Sequence, residues 1–182
     1  VVARLIANRM SEQLGQPIVV ENRPGAGSNL AADAVARAAP DGYTLLLATV
    51  ANSINATLMP SINFDILRDF SPIGLIDSVP NLLVVHPFAP VKSMQELISA
   101  AKAKPGSIVY ASSGNGTGTH LAAELFNSMA DIQMLHVPYK GSPQAVTDLI
   151  AGRVTVMFSP TSSVLPHIKS GSLRALATTG AQ

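Results

Sequence analysis

Cysteine and tryptophan are both missing from this chain. Without cysteine there is no disulfide, no thiolate nucleophile and no cysteine-based metal site, which suits a cytosolic protein and a bacterial periplasmic one equally. Charge is scarce as well: 13% of residues carry it, and twelve Lys and Arg against eleven Asp and Glu leave a formal net charge of +1. That balance implies no polyelectrolyte partner, and no basic patch interleaved with aromatics is present to follow a nucleic-acid backbone. Every apolar run falls far short of the roughly 18 residues that suggest a membrane span, so no membrane insertion is expected. What is present is apolar substance. At 182 residues and 47% hydrophobic, the chain can bury the core of one large α/β domain or two small ones.

No initiating Met precedes Val1, and residues 1–10 are already in helical periodicity. At the other end, Leu173 to Gly180 reads as a strand without a successor. The expectation is a piece of a longer protein, truncated at both ends.

Between those ends, strands alternate with helices. A helix is expected from Val1 to about Leu14, with Val2, Leu5, Ile6, Met10 and Leu14 on one stripe and Gly15 as its stop. The apolar runs Ile18-Val19-Val20, Tyr43 to Thr49, Ile73 to Ile76 and Asn81 to Val85 read as strands, with a helix over Asn29 to Ala38 and a polar loop from Thr49 to Asn55. Residues 59 to 72 read as surface loop. His86-Pro87-Phe88-Ala89-Pro90 is a stiff connection that suggests a crossing between two halves, 1–85 and 86–182. Ser93 and Glu96 form a capping box for the next helix, whose stripe is Met94, Leu97, Ile98 and Ala101. Three strand-helix units follow: strand 108–111 with helix 119–129, strand 132–137 with helix 143–151, and strand 154–158 with a short helix ending near Lys169. Such alternation marks an α/β fold with parallel strands.

The chemistry gathers where strands give way to helices. Ser112-Ser113-Gly114-Asn115-Gly116-Thr117-Gly118-Thr119-His120 brings glycines and hydroxyls to a strand-helix junction, where backbone amides and a helix N-terminus favour an anion. Pro24-Gly25-Ala26-Gly27-Ser28-Asn29 repeats the arrangement earlier in the chain, and the two loops together suit a grip on one polar ligand. The glycine spacing is neither a dinucleotide fingerprint, since the third glycine comes too soon, nor a phosphate-binding loop, since no lysine follows. A carboxylate fits better, with neutral donors from Ser112, Ser113, Thr117 and Thr119. A purely structural account, in which Thr119 caps the helix and the glycines make turns, stands beside it.

His120 has two readings: a general base, or an i,i+4 partner of Glu124. No Ser-His-Asp arrangement assembles around it, and the catalytic reading is the weaker. His86, His136 and His167 follow or end apolar segments without metal-ligand spacing, so no metal and no cofactor is expected. Tyr139 and Lys140 offer a phenol and an ammonium to an anion, while Lys140 equally suits a solvent-facing charge. Arg23 presents a similar choice between ligand contact and a loop-stabilising pair with Glu21 or Asp33.

Four blocks carry a family resemblance: residues 19–27 (Val-Val-Glu-Asn-Arg-Pro-Gly-Ala-Gly), 40–46 (Pro-Asp-Gly-Tyr-Thr-Leu-Leu), Tyr110 to Gly114 with His120-Leu121-Ala122, and 136–141 (His-Val-Pro-Tyr-Lys-Gly). In this order they resemble the substrate receptors of tripartite tricarboxylate transporters, the Bug family, over essentially the whole sequence. The resemblance implies a two-lobed periplasmic-binding-protein-like fold of type II, with parallel or mixed sheets flanked by helices and a cleft that closes on a small carboxylate-bearing compound. It further implies a periplasmic, monomeric receptor that hands a di- or tricarboxylate, an aromatic acid or a related compound to membrane permease subunits. The first lobe would be partial, lacking an N-terminal strand and ligand loop. Ligand contacts are expected from Gly27, Ser28 and Asn29, from Thr49, Ala51 and Asn52, from Ser112, Ser113, Gly116, Thr117, Thr119 and His120, from Tyr139 and Lys140, and from Ser159, Thr161 and Ser162. The family often has an acidic residue at the position of Ser159, and its replacement by a hydroxyl favours a plain carboxylate or an uncharged compound.

Two other classes stay open on the sequence. One is a hydrolase or transferase using His120 with a loop serine, which requires a nucleophile-base contact near 3 Å. The other is an intracellular or membrane-linked small-molecule sensor domain of the same architecture.

Overall fold

The computed structural model describes residues 2–59 and 61–180. Its centre is a five-stranded sheet in the order β3-β2-β4-β1-β5, built from β1 (Asn81–Val85), β2 (Val109–Ser112), β3 (Leu135–Pro138), β4 (Val156–Pro160) and β5 (Arg174–Thr178). β2 runs parallel to both β3 and β4, whereas β1 runs antiparallel to its neighbours β4 and β5, so the sheet is mixed. Asn81–Val85 therefore joins the sheet built by the second half, and residues 86–93 connect β1 to the helix packed on that same sheet rather than crossing between bodies.

Side chains alternate across a strand, and the two faces of this sheet separate accordingly. Leu83, Val85, Tyr110, Val156 and Phe158 face one way and pack with Leu97 and Ala101 of α4 (Met94–Ala103) and Ala123 of α5 (Gly118–Ala130). Val84, Ala111 and Met157 face the other way, onto Ala145, Val146 and Leu149 of α6 (Ser142–Ile150) and Val164 of α7 (Thr161–Lys169). The result is a three-layer α/β/α body. Fully burying one such aliphatic side chain contributes about 1.5–3 kcal/mol, and the buried side chains gather on the three interior strands β2, β4 and β1.

Ser93 caps α4 as expected, its Oγ accepting from Glu96 N at 3.1 Å. Glu96 returns its carboxylate to the amide of Lys92 at 2.7 Å, one residue earlier than a standard box.

The first half holds α1 (Val2–Leu14), α2 (Asn29–Ala36) and α3 (Val50–Leu58). The apolar runs at 18–20, 43–49 and 73–76, expected as strands, are irregular. A strand needs a neighbour for its amides, and among the described residues none pairs with them. Val19, Tyr43 and Leu75 are accordingly 87%, 93% and 89% exposed. The stripe on α1 is likewise only half used, with Leu5 and Leu14 exposed and Ala7 buried. The polar stretch after Thr49, expected as a loop, is helix α3. Thr49 starts it, its amide donating to Asn52 Oδ1 at 2.9 Å, and the small residues that follow tolerate helical backbone.

Candidate functional site

Parallel strands β2, β3 and β4 deliver their C-terminal ends to one edge of the sheet, the edge where open α/β sheets take ligands. The first connection there is 113–117. Thr117, not Thr119, caps α5: its Oγ1 accepts from His120 N at 3.4 Å and donates to Gly114 O at 2.7 Å. Thr119 turns back into the loop, where its Oγ1 accepts from Ser113 N at 3.0 Å and lies 2.9 Å from Ser113 Oγ. Ser112, Thr117 and Thr119 are buried. Their hydroxyls build the loop, and with the His120 amide taken by Thr117, the first-turn amides of α5 without a partner are those of Gly118 and Thr119.

The earlier loop, 25–29, is wound in an unusual sense. Gly25, Ala26, Gly27 and Ser28 all have positive φ, at 123°, 47°, 60° and 77°. For Ala26 and Ser28 this left-handed backbone costs on the order of 1–2 kcal/mol each, strain of the kind that collects at functional sites. Arg23 takes the loop-stabilising role, its guanidinium bidentate on Glu21 at 2.8 and 3.1 Å, while Asp33 pairs with Arg37. The Arg23 charge holds the Glu21 carboxyl below its usual range.

Helix α3 joins the two loops. The fully buried Asn55 donates from Nδ2 to Gly27 O at 2.9 Å and to Asn29 Oδ1 at 3.2 Å, while its Oδ1 faces Gly116 and has no hydrogen-bond partner. A Cβ on Gly27 would fall 2.8 Å from Asn115 O, and one on Gly118 would fall 2.9 Å from Val50 Cγ1. The approach of 25–29, α3 and 113–118 is thus close enough to require glycine. Asn52, one turn before Asn55, is buried beside Ala51 with its Nδ2 unpartnered. Sequence reasoning passed over Asn55; its signal was an i,i+3 pair of asparagines, Asn52 and Asn55, on a helix with no charged residue.

The remaining candidates lie along the sheet edge. Tyr139 N donates to Ser112 O at 3.0 Å, which sets the 139–141 connection beside 113–117. The Tyr139 phenol, expected to address an anion, instead donates to Asp148 Oδ2 at 2.8 Å, and Arg153 holds Asp148 Oδ1 at 2.8 Å. Burial and the Asp148 carboxylate raise the phenol's pKa, and the phenol and Arg153 lower that of Asp148. Lys140 is exposed. No polar loop follows β4, because α7 begins at once. Ser159 Oγ is fully buried without a partner, Thr161 Oγ1 donates to Pro80 O at 3.0 Å, and Ser162 is exposed in the first turn of α7.

An aromatic stack closes the back of the 113–117 loop. The His136 ring is sandwiched between Tyr110, centroids 4.6 Å apart, and His120, 4.3 Å apart, with both pairs close to parallel. The parallel register sets Tyr110 opposite His136, and the Tyr110 hydroxyl donates to Glu124, which has no recorded bond to His120. Burial, reinforced by His120, pushes His136 down to about 4, and burial with the Glu124 carboxylate drives the Tyr110 phenol upward. The serine-histidine contact the hydrolase reading required involves other residues: Ser112 Oγ lies 2.7 Å from His136 Nε2, and His120 touches no serine. Ser112 is fully buried, and its hydroxyl is also shared with Gly114.

The fold is that of periplasmic binding proteins. A family model described as tripartite tricarboxylate transporter family receptor matches residues 2–182. The chain is 42% identical over 179 residues to protein BugT of Bordetella pertussis, covering 97% of this chain and 55% of that protein. A solved structure titled R. palustris Rpa4515 with adipate superposes with a TM-score of 0.96 at 39% identity, over 100% of this chain and 61% of that one. MatC of Rhodopseudomonas palustris with bound malate gives 0.93 at 31% identity, over 100% and 62%. The chain thus spans a little over half the length of the relatives it matches, and it belongs to the tripartite tricarboxylate transporter receptor family.

Proposed function

We propose that this chain serves in a periplasmic receptor that captures a small carboxylate-bearing compound and presents it to the permease of a tripartite tricarboxylate transporter. The observation that carries the proposal is the approach of two glycine loops, 25–29 and 113–118, across Asn55, with the first-turn amides of α5 at the same place. A carboxylate held there gains charge-assisted hydrogen bonds from backbone donors and needs no perturbed acid or base. The ligands named for the structural neighbours, adipate and malate, are both dicarboxylates. Ser159 brings a neutral, unpartnered hydroxyl and no anionic partner for an amino group, which favours a plain carboxylate. Among the described residues no helix is long and apolar enough to cross a membrane.

The test is a thermal-shift screen on the full-length protein, followed by calorimetry. Di- and tricarboxylates, aromatic acids and their uncharged amides are compared. At least one acid is expected to raise the midpoint, because a ligand that binds only the native state stabilises it. A rise with amides alone would overturn the carboxylate reading.

A further inference from the structure

The 113–117 loop is held from behind by an imidazole acting as a hydrogen-bond acceptor. Gly116 N donates to His120 Nδ1 at 3.3 Å, while the backbone N of His120 donates to the capping Thr117 Oγ1. An imidazole that accepts at Nδ1 carries no proton there, so this contact exists only for the neutral ring. Once protonated, Nδ1–H would face Gly116 N–H, donor against donor. His120 is only half-buried, so solvent protons can reach the ring.

The groups around the ring do not relieve that conflict. From β3, His136 stacks on it and is kept neutral by burial; from β2, Tyr110 lies beyond His136. Glu124, one turn along α5, is engaged by the Tyr110 hydroxyl. Lys102 and Asp131 share with Glu124 a groove further along α5. Helix α3, which packs on α5, contains no titratable side chain.

We infer that neutral His120 is a positioning residue, fixing the Gly116 amide and with it the shape of the loop that receives the solute, so that capture weakens as this ring takes up a proton. The inference rests on the receptor reading above for its effect on capture, but its structural half concerns the Gly116 amide alone. If the protonated form does not bind, the Kd rises by about tenfold for each pH unit below the ring's midpoint.

Two measurements on the full-length protein decide it. In ¹⁵N-resolved NMR between pH 5 and 8, the Gly116 amide is expected to shift with the same midpoint as the His120 ring in the wild type and to stay flat in His120→Gln, which keeps an acceptor but does not titrate. Calorimetry with adipate, or with whichever acid the screen selects, is expected to show affinity falling on acidification in the wild type and pH-independent affinity in His120→Gln. His120→Phe, which keeps the stack and loses the acceptor, is expected to bind weakly at every pH. A Gly116 amide that ignores the His120 titration overturns the inference, and so does affinity that rises on acidification, since that would mean an imidazolium touching the anion directly. If no acid binds the wild type at pH 8, the receptor reading fails, and the Gly116 titration still decides for or against the positioning role.

Discussion

Asn55 Oδ1 lies 2.2 Å from the point where a Cβ on Gly116 would stand. The same side chain holds Gly27 O through Nδ2. One asparagine on α3 therefore carries a hydrogen bond to the first glycine loop and sets how near the second can come.

Gly116→Ala is expected to destabilise the protein by about 1–3 kcal/mol, from overpacking against Asn55 and from its left-handed φ of 71°. Asn55→Ala alone releases Gly27 and Asn29, but in the double variant it makes room for the new methyl. The two losses should then fall short of additivity by about 0.5 kcal/mol or more, measured by denaturant unfolding of all four proteins. Strict additivity would show that the loops do not meet at Asn55.

Ser28→Gly is expected to raise stability by up to about 1 kcal/mol, because glycine adopts a φ of 77° without the Cβ penalty. If the hydroxyl also contacts the solute, the same variant loses affinity while gaining thermal midpoint. A fall in midpoint would show that the left-handed run is not strained at this residue.

Tyr139→Phe is expected to leave solute affinity unchanged, since its hydroxyl is directed to Asp148 and not to the sheet edge. Its effect should appear in acid. The lowered folded-state pKa of Asp148 gives stability that is present above the ordinary aspartate range and lost as pH falls through the folded value, so the variant should flatten the acid limb of the stability profile below about pH 4. A marked loss of affinity would return the phenol to the ligand.

His136 makes the opposite kind of contribution, that of a base kept neutral. The unfolded chain takes up its proton near the ordinary imidazole pKa of ~6.5, whereas in the fold protonation waits until about 4. Unfolding therefore binds a proton between those values, and stability should fall as pH drops through that window. His136→Gln should remove the slope there, read from urea midpoints at stepped pH.

The helices and strands from residue 94 onward were readable from sequence because their apolar residues recur in the right periods and short strands alternate with short helices. The stripe of α4, Leu97 with Ala101, predicted the face it buries, whereas the unbroken apolar run Leu83-Val84-Val85 marked a strand without saying which residue meets which layer. Apolarity misled at 18–20, 43–49 and 73–76, where strand-like composition met no neighbouring backbone, and polarity misled at Asn52 and Asn55, buried on a helix read as a loop. The loop residues were identified but their employment was not: which threonine caps α5, and that the Tyr139 phenol serves Asp148, depend on geometry that spacing does not encode. The stack of Tyr110, His136 and His120 joins three separate segments and left no local signature.

The place of β1 in the sheet also sets an order of assembly. Its partner β4 begins more than seventy residues later, and Asn81 O meets Thr179 N across almost a hundred. During synthesis β2, α5 and β3 can come together as soon as they emerge, while Leu83, Val84 and Val85 wait, apolar and unmatched, for β4 and β5. Long-range closure of this kind slows folding. A chain interrupted before β4 therefore leaves Leu83, Val84 and Val85 as an unpaired apolar strand that a chaperone or protease can recognise.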